Sequence, residues 1–465
     1  MTARSVRWLG WLVVMAVAVA AGPARTGASR RPPNLLLILT DDHRWDGLGV
    51  AGNPHVHTPN LDRFARESLY FRQGTIYVPQ CSPARAMLLT GLPPHRSGWL
   101  SNQYQRPDHL LQPPLTIPTV PGELARAGYH TALIGKWHLA PDPWECGFAE
   151  VGTWLPGGSG PYQNPNLAHG RSRTLRPTPG HVSEIFANDA LAFLRRQVGS
   201  DRPFFLWLAF TAPHLPYGPN PLHITRLYAG KSAAELLPPG FPRDIPTGDW
   251  VRYYEAISSL DEQVGRVLNA LGSGLRENTV VVLVGDNGYM MGSHGIGARG
   301  GAGKVVPYDD SIRVPWIVRA PMLARSPRVS DAAVSGIDLP VTLLRLAGLR
   351  PPGAWPGEDL TPIFRGRGDR EVAFGEWADD RSVQFGQWAY RLVRTPRHKL
   401  IVFQNPMRAP ELYDLVADPR ETRNRYADRA YASVRARLLS RLRRWLTRTG
   451  DPAREWPAIR ERASG

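Results

Sequence analysis

Asp41 and Asp42 close one short apolar run of the chain. Lys136 and His138 close a second, His214 a third, and Asp286 with Asn287 a fourth. Asp41, Asp42, Asp286 and Asn287 make a hard oxygen set of three carboxylates and an amide, which suits Ca²⁺ or Mg²⁺ and not a thiolate-seeking metal. No HExxH or CxxC pair offers a competing zinc site. Lysine is rare here: Lys136, Lys231, Lys304 and Lys399 are the only four. A hard cation flanked by Lys136, Lys304 and histidines implies a bound anion. Each piece alone has an ordinary reading. Asp-Asp after a strand is often a turn or a cap, and a lone strand-end histidine is more often structural than catalytic. The agreement of four separate segments carries the reading.

Cys81 and Cys146 are the only cysteines. Cys81 opens the stretch CSPARAMLLTG at 81–91, and three readings compete for it: half of a disulfide, a small buried apolar residue, or a nucleophile. Pro83 suits a first helical position and Gly91 a helix end. Cys81 then lies at a helix N-terminus, where free N–H groups and the helix dipole favour negative charge. Arg85 returns to the same end. A cysteine so placed is activated or serves an anion. A Cys81–Cys146 bridge stays open, although two cysteines make no disulfide framework.

These residues need elements to carry them. The segments 34–42, 131–138, 203–214 and 279–288 are apolar without clean alternation, as in strands buried on both faces of a parallel sheet. Helical patterns lie between them at 58–68, 118–128, 181–197 and 251–272. The pattern predicts an α/β fold with a large, mostly parallel central sheet flanked by helices. Ligands of such sheets bind at the carboxyl ends of the strands, which is where the four polar groups fall. The Pro- and Gly-rich stretch 346–371 reads as a crossing linker. Beyond it, REVAFGEW, WAYRLVRT and HKLIVF read as strands, and 431–449 as a basic amphipathic packing helix and not a membrane-binding one. The expected organisation is an export segment at 1–28, a catalytic α/β domain at 29–365 and a smaller C-terminal subdomain at 366–465.

The N-terminal assignment rests on Arg4 and Arg7, an apolar run, and Ala18 and Ala20 in cleavage spacing. It predicts a secreted or periplasmic protein without stable membrane insertion, with an uncleaved anchor as the alternative. The composition, 42% hydrophobic and 21% charged, is that of a folded protein. The net charge of +16 comes almost wholly from arginine and favours anionic ligands. The basic residues are scattered, with no basic-aromatic array of the kind nucleic-acid binders use.

The segment CSPAR at 81–85, followed by Thr90-Gly91, resembles the signature of the type I sulfatases of the alkaline phosphatase superfamily. DD at 41–42, GKWH at 135–138, APH at 212–214, GDNG at 285–288, Lys304 before PYDDSIRVP at 307–315, and ELYDLVADPRETRN at 411–424 resemble the family's other segments, in order. The resemblance implies an alkaline phosphatase-like fold with a small antiparallel C-terminal sheet. It implies that a separate formylglycine-generating enzyme oxidises Cys81 to formylglycine. It implies one calcium ion, with magnesium as second choice, on Asp41, Asp42, residue 81, Asp286 and Asn287. It implies catalytic roles for Cys81, Arg85, Lys136, His138, His214 and Lys304: Arg85 holds the modified residue, Lys136 and Lys304 face the sulfate, His214 or Lys304 protonates the leaving oxygen, and His138 acts as base.

The implied substrate is a sulfated small molecule or glycan. The rival activities are phosphonate monoester or phosphodiester hydrolysis and, in a different class, an inactive calcium-stabilised binder of sulfated glycans. His294, Arg299, Trp377 and His398 are weaker substrate-side candidates. The loops 99–115, 155–180 and 290–303 are expected to shape the pocket.

Overall fold

The computed structural model describes residues 31–460 except 104, 114, 245–247, 299–302, 324–327 and 380–388. The expected export segment at 1–28 lies outside the described residues, as does Arg299. From Pro32 onward the chain forms one compact unit.

The four apolar runs become the middle of one ten-stranded sheet. In chain order its strands are β1 (Asn34–Thr40), β2 (Leu69–Phe71), β3 (His130–Lys136), β4 (Glu150–Leu155), β5 (Asn166–His169), β6 (Arg176–Pro177), β7 (Phe204–Ala209), β8 (Thr279–Gly285), β9 (Trp316–Arg319) and β10 (Arg328–Ser330). They lie side by side in the order β10-β2-β9-β8-β1-β7-β3-β4-β5-β6. The block β8-β1-β7-β3-β4 is parallel throughout, and β5, β6 and β9 pair antiparallel at its flanks. Every residue of β1, β7 and β8 is buried. That explains the missing alternation, because both faces of these strands are core. Leu35, Leu37 and Leu39 enter one core, while Leu36 and Ile38 enter the other.

The helices Pro59–Arg66, Val182–Gln197 and Trp250–Ala270 supply Phe64, Phe186, Ile257 and Leu260 to one core. Cys81–Thr90, Val120–Arg126 and Asp338–Leu346 supply Met87, Leu88, Leu124 and Leu339 to the other. Helix Cys81–Thr90 is buried on all sides. It ends at Gly91, whose left-handed φ of 64° lets its N–H return to the Met87 carbonyl.

The C-terminal strands are β11 (Ala373–Trp377), β12 (Tyr390–Arg394), β13 (His398–Phe403) and β14 (Glu411–Asp414), antiparallel and adjacent in chain order. Helix Ala432–Thr449 buries Leu438, Leu439, Leu442, Trp445 and Leu446 in the core that also takes Leu392, Val393 and Leu400. Its arginines at 437, 444 and 448 are exposed, as expected of an ordinary packing helix. Among the described residues no helix is long and apolar enough to cross a membrane. Trp377 is not a surface residue: it is 1% exposed, and its carbonyl accepts from Arg391. It serves the core because it lies on a strand buried along its whole length.

A buried polar network ties the C-terminal sheet to His95 and Tyr77 of the larger part of the chain. His95 Nδ1 lies 2.7 Å from Glu376 Oε2 and 3.3 Å from Asp451 Oδ2. Arg391 bonds Asp451 through Nε and Nη2 at 2.6 and 3.0 Å, and the Tyr77 hydroxyl donates to Glu376 at 3.2 Å. Burial alone would lower the pKa of His95, but Glu376 and Asp451 raise it above its ordinary value. Such a group gives its full stabilisation below its unfolded pKa and loses it as pH rises through the folded pKa. The melting temperature is therefore expected to fall as pH rises above about 6.5. His95→Gln should flatten that slope in thermal scans across pH; an unchanged slope would assign it to another group.

Candidate active site

The strand ends deliver the predicted residues to one place. Asp41 and Asp42 follow β1, Lys136 ends β3, and Asp286 and Asn287 follow β8. The Asp286 N–H donates to the Thr40 carbonyl at 2.9 Å, and the Asp41 N–H donates to the Ala212 carbonyl at 3.2 Å. These bonds hold three loops together just past the sheet. Asp42 has a positive φ of 58°, which turns the chain sharply at the strand exit.

Cys81 is the first residue of its helix, so Pro83 stands third and not first. The proline is still tolerated, since N–H groups of a first turn have no helical acceptor. The Cys81 sulfur lies 3.2 Å from Asp41 Oδ1 and 2.9 Å from Lys304 Nζ. Lys304 Nζ also donates to Asp42 Oδ1 at 2.6 Å. Lys136 Nζ is bonded to Asp41 Oδ2. One turn along, Arg85 donates from Nε to Asp286 Oδ2 at 2.9 Å and from Nη1 to the Lys136 carbonyl at 2.6 Å. His214 Nε2 lies 3.7 Å from Asp42 Oδ2, and its Nδ1 lies 2.7 Å from the Leu215 carbonyl. His138 adopts φ 60°, and its Nδ1 is buried without a partner.

The charges are unevenly shared. Burial alone would raise the pKa of Asp41, but Lys136, His214, Arg85 and Lys304 hold it well below the usual carboxylate range. Burial and the neighbouring Asp41 push Asp286 up to about 7. Burial lowers His138 to about 2, with Lys136 and Arg85 adding to the shift. Burial likewise lowers His214. The Cys81 thiol runs against the expectation of a helix-end thiolate. Burial pushes it up to about 12, Asp41 adds to that, and Lys136 and Lys304 pull down without prevailing. A helix N-terminus is worth about 0.3–2 kcal/mol to an anion, too little against full desolvation beside carboxylates. Burial therefore disfavours the thiolate of the unmodified cysteine. Cys81 is not a disulfide half either, since Cys81 and Cys146 are both free and buried.

The site fits a hard cation. Asp41, Asp42, Cys81 and His214 each bring one ligand atom to within 4.8 Å of the others. Asp286 Oδ1 and Asn287 Oδ1 are buried acceptors with no hydrogen-bond partner, a costly state unless something else meets them. The Asn287 amide donates through Nδ2 to Asp42 Oδ1 and the Gly288 carbonyl at 2.6 and 2.7 Å, so its oxygen is the spare atom. Three carboxylates, Asp41, Asp42 and Asp286, face three cations, Arg85, Lys136 and Lys304. A dication added to that balance makes the pocket positive, as an anionic ligand requires.

Arg44, which the sequence did not mark, and residues of the segments 307–315 and 411–424, whose role the sequence did not show, also serve the site. Arg44 bonds Asp46 and Asp310 and donates to the Tyr289 and Met290 carbonyls, pinning the chain after Asn287. Asp309 takes Arg394 and Lys399, and its N–H donates to Glu421. Arg420 reaches Asp310. PYDDS and the late ADPRE stretch are thus two halves of one ionic joint just after Lys304. Spacing alone could not show this, because the partners lie far apart in the chain. His294 stacks on Tyr308 at 3.9 Å and bonds the Arg420 carbonyl, which makes it part of the joint. His398 takes its partners, Asp414 and Tyr431, from the C-terminal part of the chain.

Comparison with known proteins agrees with this architecture. The family model described as Sulfatase matches residues 33–349, and the model described as N-sulphoglucosamine sulphohydrolase, C-terminal, matches residues 297–448. The chain is 30% identical to the uncharacterized sulfatase YidJ of Escherichia coli K12 over 91% of this chain and 89% of that one. It is 33% identical to N-acetylgalactosamine-6-sulfatase of Canis lupus familiaris over 78% of this chain and 74% of the other. A solved structure in complex with its substrate D-glucosamine-2-N,6-O-disulfate matches with TM-score 0.74 at 23% identity, covering 91% and 99% of the two chains. At that identity the likeness speaks for the fold.

Proposed function

The chain belongs to the sulfatase family and is a sulfuric ester hydrolase, and from that premise we propose that it acts through a formylglycine made from Cys81 and one calcium ion. The ligands are Asp41, Asp42, residue 81, Asp286 and Asn287. The observation that carries this reading is the cluster itself: a buried thiol held between Asp41 and Lys304 within a group of three carboxylates and three cations. A thiol pushed up to about 12 has no useful nucleophilicity near neutral pH. Formylglycine, if formed and hydrated there, would offer two hydroxyls, one as nucleophile towards sulfur and one whose proton loss would return the aldehyde and free the sulfate. Calcium, held by these residues, would supply positive charge for the sulfate oxygens and for the nucleophile.

The other groups are this chain's own. Lys136 and Lys304 neutralise the sulfate oxygens, and their positions are set before substrate arrives. Arg85 braces Asp286 and the end of β3. His214 or Lys304 gives a proton to the leaving oxygen. By resemblance His138 receives the proton when the sulfate leaves; burial beside Lys136 and Arg85 opposes that until the anion's charge lies next to it. Cys81, Ser82, Ala84 and Arg85 are at most 2% exposed, so the maturation enzyme must read Cys-x-Pro-x-Arg before the chain closes over it. We read residues 1–28 as the export signal that accompanies this.

A sulfated sugar is the substrate class, supported by relatives named for hexosamine sulfates. The test is a panel of aryl sulfate, matched aryl phosphonate, and 6-O- and N-sulfated hexosamines, with calcium present. Inorganic sulfate should be released, fastest from a sulfated hexosamine. Faster phosphonate cleavage, or sugar binding without turnover, would replace this reading by one of its rivals.

A further inference from the structure

His138 occupies a left-handed backbone conformation, φ 60°, which costs a non-glycine residue about 1–2 kcal/mol. Something must hold it there. Its N–H donates to the Pro156 carbonyl at 3.2 Å. Its ring lies against Gly158, where a Cβ would come within 2.7 Å of the imidazole. Its carbonyl accepts a bond of 3.0 Å from the Ser82 hydroxyl.

That hydroxyl has one proton, and its direction is decided elsewhere. Trp99 Nε1 donates to Ser82 Oγ at 2.5 Å. An indole N–H can donate and never accept. With that bond in place, the serine proton is committed to the His138 carbonyl. The same short segment grips the helix end twice more. The Ser82 N–H, which has no acceptor within its helix, donates to Asn102 Oδ1 at 2.9 Å. The Asn102 N–H donates to Gln80 Oε1 at 2.7 Å. Gln80, Ser82 and Trp99 are each at most 3% exposed, which keeps water from the Trp99–Ser82 bond, whereas Asn102 is partly exposed.

We propose that Trp99, Asn102 and Ser82 form a clasp that sets the relative position of residue 81 and His138. They are positioning residues: they act through residue 81 and His138 and do not touch substrate. The start of the 99–115 loop therefore supports the chemistry from behind, where a specificity loop was expected. The inference rests on the reading of residue 81 as nucleophile and His138 as base. Displacement of a reacting group by about 1 Å can cost on the order of 100-fold in rate.

The experiment compares Trp99→Phe, Ser82→Ala, Ser82→Thr, Asn102→Ala and the Trp99→Phe/Ser82→Ala double variant with the native enzyme. Turnover of a small aryl sulfate is normalised to the fraction of residue 81 converted, read by peptide mass spectrometry. Trp99→Phe and Ser82→Ala should each lose about 10- to 100-fold in kcat with KM within about twofold. Ser82→Thr keeps the hydroxyl and should recover most of the rate. The double variant should be no worse than Ser82→Ala, because both changes break one relay. Independent, multiplying losses would overturn the clasp, as would a rise in KM at unchanged kcat.

Hydrogen exchange on the same samples reads the positioning without turnover. The peptides spanning 80–83 and 137–139 should exchange faster in Trp99→Phe and Asn102→Ala. Unchanged exchange there would overturn the clasp even in an active enzyme. Failure of the hydrolase reading would show separately, in native protein that converts residue 81 and still releases no sulfate.

Discussion

Cys81→Ala protein should release sulfate no faster than background, a loss on the order of 10⁵-fold or more. Cys81→Ser should be equally inactive in a host that modifies only cysteine. The argument starts from the surroundings of the sulfur. It is fully buried, 3.2 Å from Asp41 and 2.9 Å from Lys304, and its thiol is pushed up to about 12. A serine hydroxyl there would be harder still to ionise. Neither side chain offers a second hydroxyl to expel sulfate once an ester has formed. The active native protein should therefore contain a residue 81 lighter than cysteine that reacts with aldehyde probes. Peptide mass spectrometry over 81–85, set against specific activity across preparations, measures this. Activity should scale with the converted fraction. A fully active preparation in which residue 81 is an intact thiol would remove the proposed mechanism. Fold should survive both substitutions, since Ala and Ser are smaller than Cys and leave no charge unpaired.

The central strands were legible because physics leaves them little choice. β1, β7 and β8 are buried on both faces, so their apolar runs stand out. The polar residues just past them stand out for the same reason. The outer strands β10 and β2 on one side and β5 and β6 on the other have two to four residues, too few for a period to show. β14 went unread because it lies within a segment taken as a motif and not as a strand. The site was legible to the extent that its members are chemically unusual: a lysine in a chain with four, an Asp-Asp pair, a cysteine before Ser-Pro. The supporting shell was not. Arg44, Asp309, Asp310 and Arg420 are ordinary charged residues until the fold brings them together. Trp99 and Ser82 look like filler, since nothing in sequence shows which way a hydroxyl points. The helix-end argument for Cys81 found the helix start and could not weigh burial. It counted the favourable dipole and left out the desolvation that only burial reveals.

Removing divalent metal with a chelator should abolish turnover, and calcium should restore it. The expectation comes from two atoms and one charge balance. Asp286 Oδ1 and Asn287 Oδ1 are buried acceptors without partners, and three carboxylates face three cations. Without a dication, Lys304 is engaged by Asp42 and Lys136 by Asp41, so neither ammonium is fully free for a sulfate. With one bound, the carboxylates have a stronger partner and the pocket gains the positive charge that an anion needs. Binding also stabilises the fold, by about 2.7 kcal/mol at a hundredfold excess over Kd, so calcium should raise the melting temperature. The choice of variant matters. Asp41→Ala would leave Lys136 buried without its partner, a defect worth about 3–5 kcal/mol by itself. Asn287→Ala removes a ligand oxygen and strands no charge. It should raise the calcium concentration for half-maximal activity by about 10- to 100-fold, in the range seen when a group supporting a metal is lost, while the calcium-free melting temperature falls modestly with the two buried hydrogen bonds. Metal analysis should find one calcium per chain. Zinc in its place, or full activity with no metal at all, would contradict the oxygen-donor site that Asp41, Asp42, Asp286 and Asn287 describe.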